Sequence, residues 1–317
     1  MADLAPILLD MHVHQIPVMP ERFADLPGVT WDDAARRMVV DGETLGLGKL
    51  FSPEALIAWM DEQAIAEAWA SAPPPTYRMG LAGQAAEHWC AYLNDGLDAV
   101  AARYPARLRA MHHLPVQDPA LAAGIVAASA RRGVRLFSAP SSAPALSLDT
   151  APFAGMWAAL DAVGAFLLLH PGHAEDPRLD DYYLRNLVGN PHETGLAGAR
   201  LALAGIPERY PGVTICLAHG GGSLPMLAGR LARGRDTDRP GLDMSVAAPT
   251  AQLARLTADC VTHDPGALAL ADAAYGPGHV YFGSDWPFPM GLPAPHVQLA
   301  GLAPARRASL FANRPQH

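Results

Sequence analysis

Ile7-Leu8-Leu9-Asp10-Met11-His12-Val13-His14 reads as an apolar strand that ends on two histidines two positions apart. Alternate residues of a strand share a face, so His12 and His14 point the same way. Two rises of the chain set their Cβ atoms about 6.7 Å apart. From there two imidazoles can converge on one cation, with metal–nitrogen bonds of about 2.0–2.1 Å. An isolated pair of this kind is also what two unrelated turn histidines look like. The reading therefore depends on whether other strands end in the same way.

Three do. Leu167-Leu168-Leu169-His170-Pro171 is an apolar strand that stops on histidine, with proline breaking the ladder. Cys216-Leu217-Ala218-His219 runs into Gly220-Gly221-Gly222, which permit close backbone approach or positive φ. Tyr281-Phe282-Gly283-Ser284-Asp285-Trp286-Pro287 stops on a carboxylate. Burying an unpaired carboxylate is costly, so Asp285 calls for a cation or a histidine partner. Each segment alone has an ordinary reading: a capped histidine, an esterase-type oxyanion segment, a turn aspartate. The esterase reading needs a GxSxG elbow, and the chain has none.

Outward from these segments, short apolar runs alternate with helical stretches. Strands are expected at residues 7–13, 65–71, 108–114, 134–138, 165–170, 213–219, 257–261 and 280–284. Apolar runs without strict alternation suit strands covered on both faces, as in a parallel sheet. Ser52-Pro53-Glu54 is an N-cap followed by proline at the first helical position, opening a helix to about Gln63. Further helices are expected at 81–104, 118–132, 152–163, 191–210, 224–233 and 265–275, with a last one after Pro293. Eight strands alternating with helices over 317 residues predict a single α/β domain, a (β/α)8 TIM barrel. The alternative is an open doubly wound sheet. In a closed barrel the ends of strands one, five, six and eight surround one cavity. Residues 17–50 break the repeat and are expected to form an inserted subdomain or lid that shapes the pocket.

Hydrophobic residues make up 50% of the chain and charged residues 17%, which sets disorder aside. A net charge of −8 lacks the basic footprint of a nucleic-acid binder. No apolar run is long enough to span a membrane. Cys90, Cys216 and Cys260 are odd in number and form no CxxC, which fits a reducing compartment. With no basic leader region visible, the cytoplasm is the expected location. Three histidines and an aspartate are a ligand set suited to zinc and tolerant of manganese or iron.

Together these segments resemble the metal-dependent amidohydrolases of the aminocarboxymuconate-semialdehyde decarboxylase type. Tyr183-Leu184-Arg185-Asn186-Leu187-Val188-Gly189-Asn190-Pro191-His192-Glu193-Thr194 and Leu114-Pro115-Val116-Gln117 extend the likeness, which covers nearly the whole chain. The resemblance implies a carbon–carbon lyase that removes a carboxylate from a small unsaturated or aromatic acid. It assigns one divalent ion, zinc foremost, to His12, His14, His170 and Asp285. It gives His219 the role of general acid/base or orienter of the metal's water, and Asp285 that of proton shuttle in related hydrolases. Binuclear relatives end their fourth strand on a carboxylated lysine; Leu136-Phe137-Ser138 stands there instead, so one ion is expected.

Arg230, eleven residues after His219, would by the same resemblance enter a neighbouring subunit's pocket and grip the substrate carboxylate. A homodimer is therefore expected. Lys49 stands near a second carboxylate-binding arginine of the decarboxylase, and Asn186 where it has a tryptophan. His112 and His113 replace small residues; one of them faces the cavity, and His113 is a candidate substrate contact. His173 is a further candidate after the fifth strand. A hydrolase or hydratase of a lactone or amide, and a non-catalytic metal-binding relative, are the alternatives.

Overall fold

Strands rich in apolar residues on both faces need a layer on each side, and here they find it by closing on themselves. The computed structural model describes residues 4–143, 146–172 and 176–317. Its barrel strands are β1 (Ile7–His14), β2 (Ile65–Ser71), β3 (Leu108–Ala110, resuming at His112–His113), β4 (Leu136–Pro140), β5 (Phe166–His170), β6 (Thr214–Leu217), β7 (Thr257–Asp259) and β8 (Val280–Tyr281). Each pairs in parallel with the next. β3 pairs first with β2 and then with β4, and Met111 N donates to Ala70 O at the changeover. Met11 N donates to Phe282 O (3.0 Å) and Asp285 N to His12 O (2.8 Å), which closes the ring between β1 and the segment after β8. The observed fold is the expected TIM barrel.

The pattern of side chains follows the two-residue period. Leu9, Met11, Trp69, Leu136, Phe166 and Leu168 pack with one another inside the ring. Their neighbours Ala70, Phe137, Leu167, Leu169 and Ile215 face outward against the helices. β1 departs from the period. Met11 belongs to the interior, yet Val13 packs outward, and the register with β2 shifts between Asp10 and Val13. A bulge of this kind re-aims side chains. It turns His12 and His14 toward the barrel mouth, on the same side as Met11.

The outer layer contains α1 (Pro53–Glu62), α2 (Gly83–Arg103), α3 (Pro119–Arg131), α4 (Ala154–Ala162), α5 (Asn190–Leu203), α6 (Leu224–Asp236), α7 (Pro265–Tyr275) and α8 (Pro304–Ala312). Ser52, Asp118 and Asp264 cap α1, α3 and α7 through their side chains. The helix expected at 191–210 is broken. α5 stops at Leu203, Gly205 takes φ +69°, and a separate turn follows at Ile206–Arg209. Glycine at that left-handed position ends a helix where other residues resist it.

The stretch expected to interrupt the barrel, 17–50, holds a three-stranded antiparallel meander of Val29–Asp32, Arg37–Val40 and Glu43–Leu45. Sequence reasoning did not find these strands. Asp41-Gly42 between Val40 and Glu43, both with positive φ, is the hairpin signal that could have shown them. The meander buries Met38, Val40 and Leu45 against Trp89, Tyr92 and Leu93 of α2. Arg78 fastens it further, reaching both carboxylate oxygens of Asp41 (2.6 and 2.8 Å) and the carbonyl of Pro27 (2.7 Å).

After β6 the chain turns sharply through Gly220, Gly221 and Gly222. Gly222 has φ +60°, and a Cβ there would overlap the Pro191 carbonyl oxygen in the first turn of α5. Gly222→Ala should therefore destabilise the protein by about 3 kcal/mol, from backbone strain and overpacking together. A urea or thermal midpoint equal to that of the wild type would contradict this account.

Candidate metal centre

Four strand ends deliver their side chains to one point at the barrel mouth. His12 and His14 come from β1, His170 from β5 and Asp285 from the segment after β8. One ligand atom from each lies within 4.8 Å of the others, and all four residues are buried. His14 Nε2 stands 3.1 Å from both His12 Nε2 and Asp285 Oδ1, and His12 Nε2 lies 3.5 Å from Asp285 Oδ1. Donors bound tetrahedrally at zinc distances are spaced about 3.4 Å apart.

The opposite edge of each imidazole settles which nitrogen is bare. His12 Nδ1 donates to Asp259 Oδ2 at 2.7 Å. His14 Nδ1 donates to Ser71 Oγ at 3.1 Å, and that hydroxyl in turn donates to Val13 O. His170 Nδ1 donates to Pro171 O at 2.9 Å. With each proton on Nδ1, three Nε2 lone pairs face the common point. His170 Nε2 and Asp285 Oδ1 are buried without a hydrogen-bond partner among the described residues. Such orphans cost about 1–3 kcal/mol each, and one divalent cation satisfies them together. The residues fit the ion.

Protonation of His14, His170 and Asp285 agrees with ligation, whereas His12, which burial alone would lower, is raised by its hydrogen bond to Asp259 and by the charge of Asp285. Burial, and then the neighbouring imidazoles of His14 and His219, push His170 well below the usual histidine range. Burial also lowers His14. Burial alone would raise Asp285, but His14 and His219 beside it hold it well below the usual carboxylate range. Neutral imidazoles and an ionised carboxylate are the ligating forms.

Two supporting carboxylates escaped the sequence reading. Asp259, fully buried at the end of β7, accepts from His12 and from the backbone N–H groups of His219 (2.9 Å), Gly220 (2.9 Å) and Val261 (3.0 Å). Burial pushes its pKa up, but His12 and these donors bring it below the ordinary value. The available signal was an aspartate ending Thr257-Ala258-Asp259 at the same rim as the other strand-end residues. Asp10 accepts from the N–H groups of His12 (3.1 Å) and Ser284 (3.0 Å), and burial drives its pKa up to about 7.

His219 stands beside the four ligands rather than among them. Its Nε2 lies 3.6 Å from Asp285 Oδ2, and its ring centroid is 5.0 Å from that of His170. His219 and Asp285 both adopt positive φ (56° and 58°), a conformation that costs about 1–3 kcal/mol per residue and clusters at functional sites. Both open, with His170, onto a cavity of about 860 Å³.

The remaining candidates divide. Asn186 lines the cavity. His113 does not: it is buried, its ring stacks on Tyr77 at 5.2 Å, and Tyr77 in turn packs edge-on to His170 at 6.5 Å. Tyr77 was not singled out from the sequence. His112 points the other way, to Ser129 and Asp98. Lys49 is exposed and outside the cavity, because its short helical turn buries Leu50 and Phe51 and leaves Lys49 in solvent. None of residues 17–50 is among those lining the cavity, against expectation, since the meander packs sideways onto α2. Arg230 is exposed on α6, away from its own chain's cavity, and makes no ion pair among the described residues. His173 lies outside the described residues.

Residues 9–311 match the model of the family described as Amidohydrolase. The 2-amino-3-carboxymuconate-6-semialdehyde decarboxylase of Caenorhabditis elegans is 26% identical, over 89% of this chain and 86% of its own. The crystal structure of 5-carboxyvanillate decarboxylase from Sphingomonas paucimobilis superposes with a TM-score of 0.79 at 21% identity, covering 97% of each chain. The enzyme of the same name from Novosphingobium aromaticivorans holds manganese and 3-methoxy-4-hydroxy-5-nitrobenzoic acid. It superposes with a TM-score of 0.79 at 19% identity, over 99% of this chain and 98% of its own. Both superpositions show the same barrel.

Asp259→Asn tests the support of the centre. The amide would present N–H either to His12 Nδ1–H and the His219 N–H, which share Oδ2, or to the N–H groups of Gly220 and Val261, which share Oδ1, and so disturb the anchor that orients His12 and bares its Nε2. Metal affinity, measured by competition with a chelator, should weaken about 10–100-fold. Unchanged affinity would remove Asp259 from the account.

Proposed function

This chain belongs to the amidohydrolase family, and from that premise we propose that it is a metal-dependent decarboxylase of an aromatic or unsaturated carboxylic acid. The observation that carries the reading is the convergence of four buried donor atoms beside His219, at the head of a largely apolar cavity. Decarboxylase relatives that share the barrel support it.

A divalent ion held by His12, His14, His170 and Asp285 supplies Lewis-acid stabilisation of negative charge on substrate oxygens. Zinc suits three imidazoles and a carboxylate, and manganese is accommodated by related sites. β4 offers no lysine for a second ion. Loss of carbon dioxide breaks the carbon–carbon bond and leaves its electron pair on the substrate carbon. That carbon must gain a proton, and we assign its delivery to His219 Nε2. Asp285 Oδ2 lies 3.6 Å from that nitrogen, beyond hydrogen-bond length. Apolar walls favour neutral carbon dioxide over a carboxylate, whose burial without a partner is costly. Asn186 offers an amide to a substrate hydroxyl, and His113 acts through Tyr77 as a positioning residue.

We assign the active form to a homodimer in which Arg230 of one subunit enters the cavity of the other and grips the reacting carboxylate. Its exposure and its lack of an ion pair among the described residues support this. Cys90, Cys216 and Cys260 are free and buried, which fits the cytoplasm. No helix among the described residues is long and apolar enough to cross a membrane.

His12→Ala or Asp285→Ala should lose both bound metal, by elemental analysis, and carbon dioxide release. His219→Ala should keep its metal and lose about 10²–10⁴-fold in turnover; a wild-type rate would strip it of the proton-transfer role. Mixing His219→Ala chains with Arg230→Ala chains should recover activity in hybrid dimers. Heterodimers that form without recovery would refute the sharing of Arg230.

A further inference from the structure

Large apolar side chains surround the mouth of the cavity and stay unusually exposed. Leu187 is 47% exposed, Met226 78%, Leu270 47% and Met290 37%, and all four line the cavity. They come from separate parts of the chain: Leu187 from just before α5, Met226 from α6, Leu270 from α7 and Met290 from the segment after β8. Pro74 and Phe288 continue the same wall. Scattered exposed apolar residues need no explanation, but a rim around one concavity marks a binding surface, part of which the subunit that brings Arg230 would cover.

The charges are as telling. Among the described residues no lysine or arginine lines this cavity, and the ionisable groups that do are three histidines, one tyrosine and Asp285. Of these, His170 and Asp285 face the ion and His219 stands beside them. His263 and Tyr183 complete the set. A volume of about 860 Å³ is near the upper end for small-molecule sites, so one benzoate ring together with the partner subunit's Arg230 side chain still leaves room unfilled. A second acid group on the substrate would meet apolar walls with no fixed cation to pair with it.

We infer that the substrate is a monocarboxylic aromatic acid carrying a bulky apolar substituent, selected by the wall formed by Leu187, Met226, Leu270 and Met290. This rests on the decarboxylase reading above and narrows it. The reacting carboxylate lies at the metal end, where Arg230 across the interface completes its charge pairing. The substituent runs outward along the wall. Each methylene that the wall takes from water improves binding about fourfold.

The test uses the intact metal-loaded protein and salicylic acids bearing either a pentyl chain or a second carboxylate at matched ring positions. Carbon dioxide release should give kcat/KM at least tenfold higher for the best pentyl acid than for the parent salicylate. The dicarboxylates should fall below the parent. Leu270→Ala should shrink the pentyl-to-parent ratio, a change in selectivity that a general loss of folding would not produce. A dicarboxylate preferred over the pentyl acids would overturn the inference, as would a ratio near one. Should no acid release carbon dioxide, the decarboxylase reading falls by itself. Isothermal titration of the same acids then decides the pocket: tighter binding of the pentyl series upholds it, and tighter binding of the dicarboxylates ends it.

Discussion

Asp259 accepts four hydrogen bonds while wholly buried, and through them it joins three parts of the barrel mouth. To β1 it offers an acceptor for His12 Nδ1, and so chooses the tautomer that bares Nε2. To the turn after β6 it offers acceptors for two backbone N–H groups, which help hold His219 at a left-handed φ. Within its own strand it takes the N–H of Val261. The orientation of His12 and the position of His219 thus share one anchor. A carboxylate so placed is costly to bury, and its hydrogen bonds offset that cost only while every partner is in place.

The second constraint is geometric. A strand with a strict two-residue period cannot place both Met11 in the barrel interior and His12 at the metal. The irregularity in β1 resolves the conflict by letting consecutive residues face the same way. Below it, β1 contributes to the apolar plug; above it, β1 contributes two ligands. The positive φ at His219 and Asp285 does similar work on β6 and after β8. The barrel supplies a rigid frame, and three local departures from regularity aim the chemistry.

The sequence made the frame legible because apolar strand runs and capped helices alternate so regularly. His12, His14, His170 and Asp285 were legible because each ends such a run. Asp259 was not, although it too ends a strand: without coordinates, a strand-end aspartate looks the same whether it caps a turn or receives an imidazole. Tyr77 was hidden for another reason, since a three-residue helical turn places it beside His170 and no periodicity reports such a contact. The split at Gly205 shows local turn chemistry overriding a continuous helical pattern. Lys49 shows the limit of carrying a role across by neighbourhood in sequence. It stands near the right place in the chain, but Leu50 and Phe51 take the buried side of the turn.

The meander of 29–45 has consequences beyond its own stability. It closes its own small core with α2, and Gly96 on that helix leaves room for Pro17 and Met19 to lie close against it. Its polar clamp runs from Arg78 to Asp41. The same core takes in Ile16, two residues beyond His14, and Phe288, whose ring packs edge-on to His14 at 5.3 Å, so the appendage buttresses the strand end that carries two of the donor histidines.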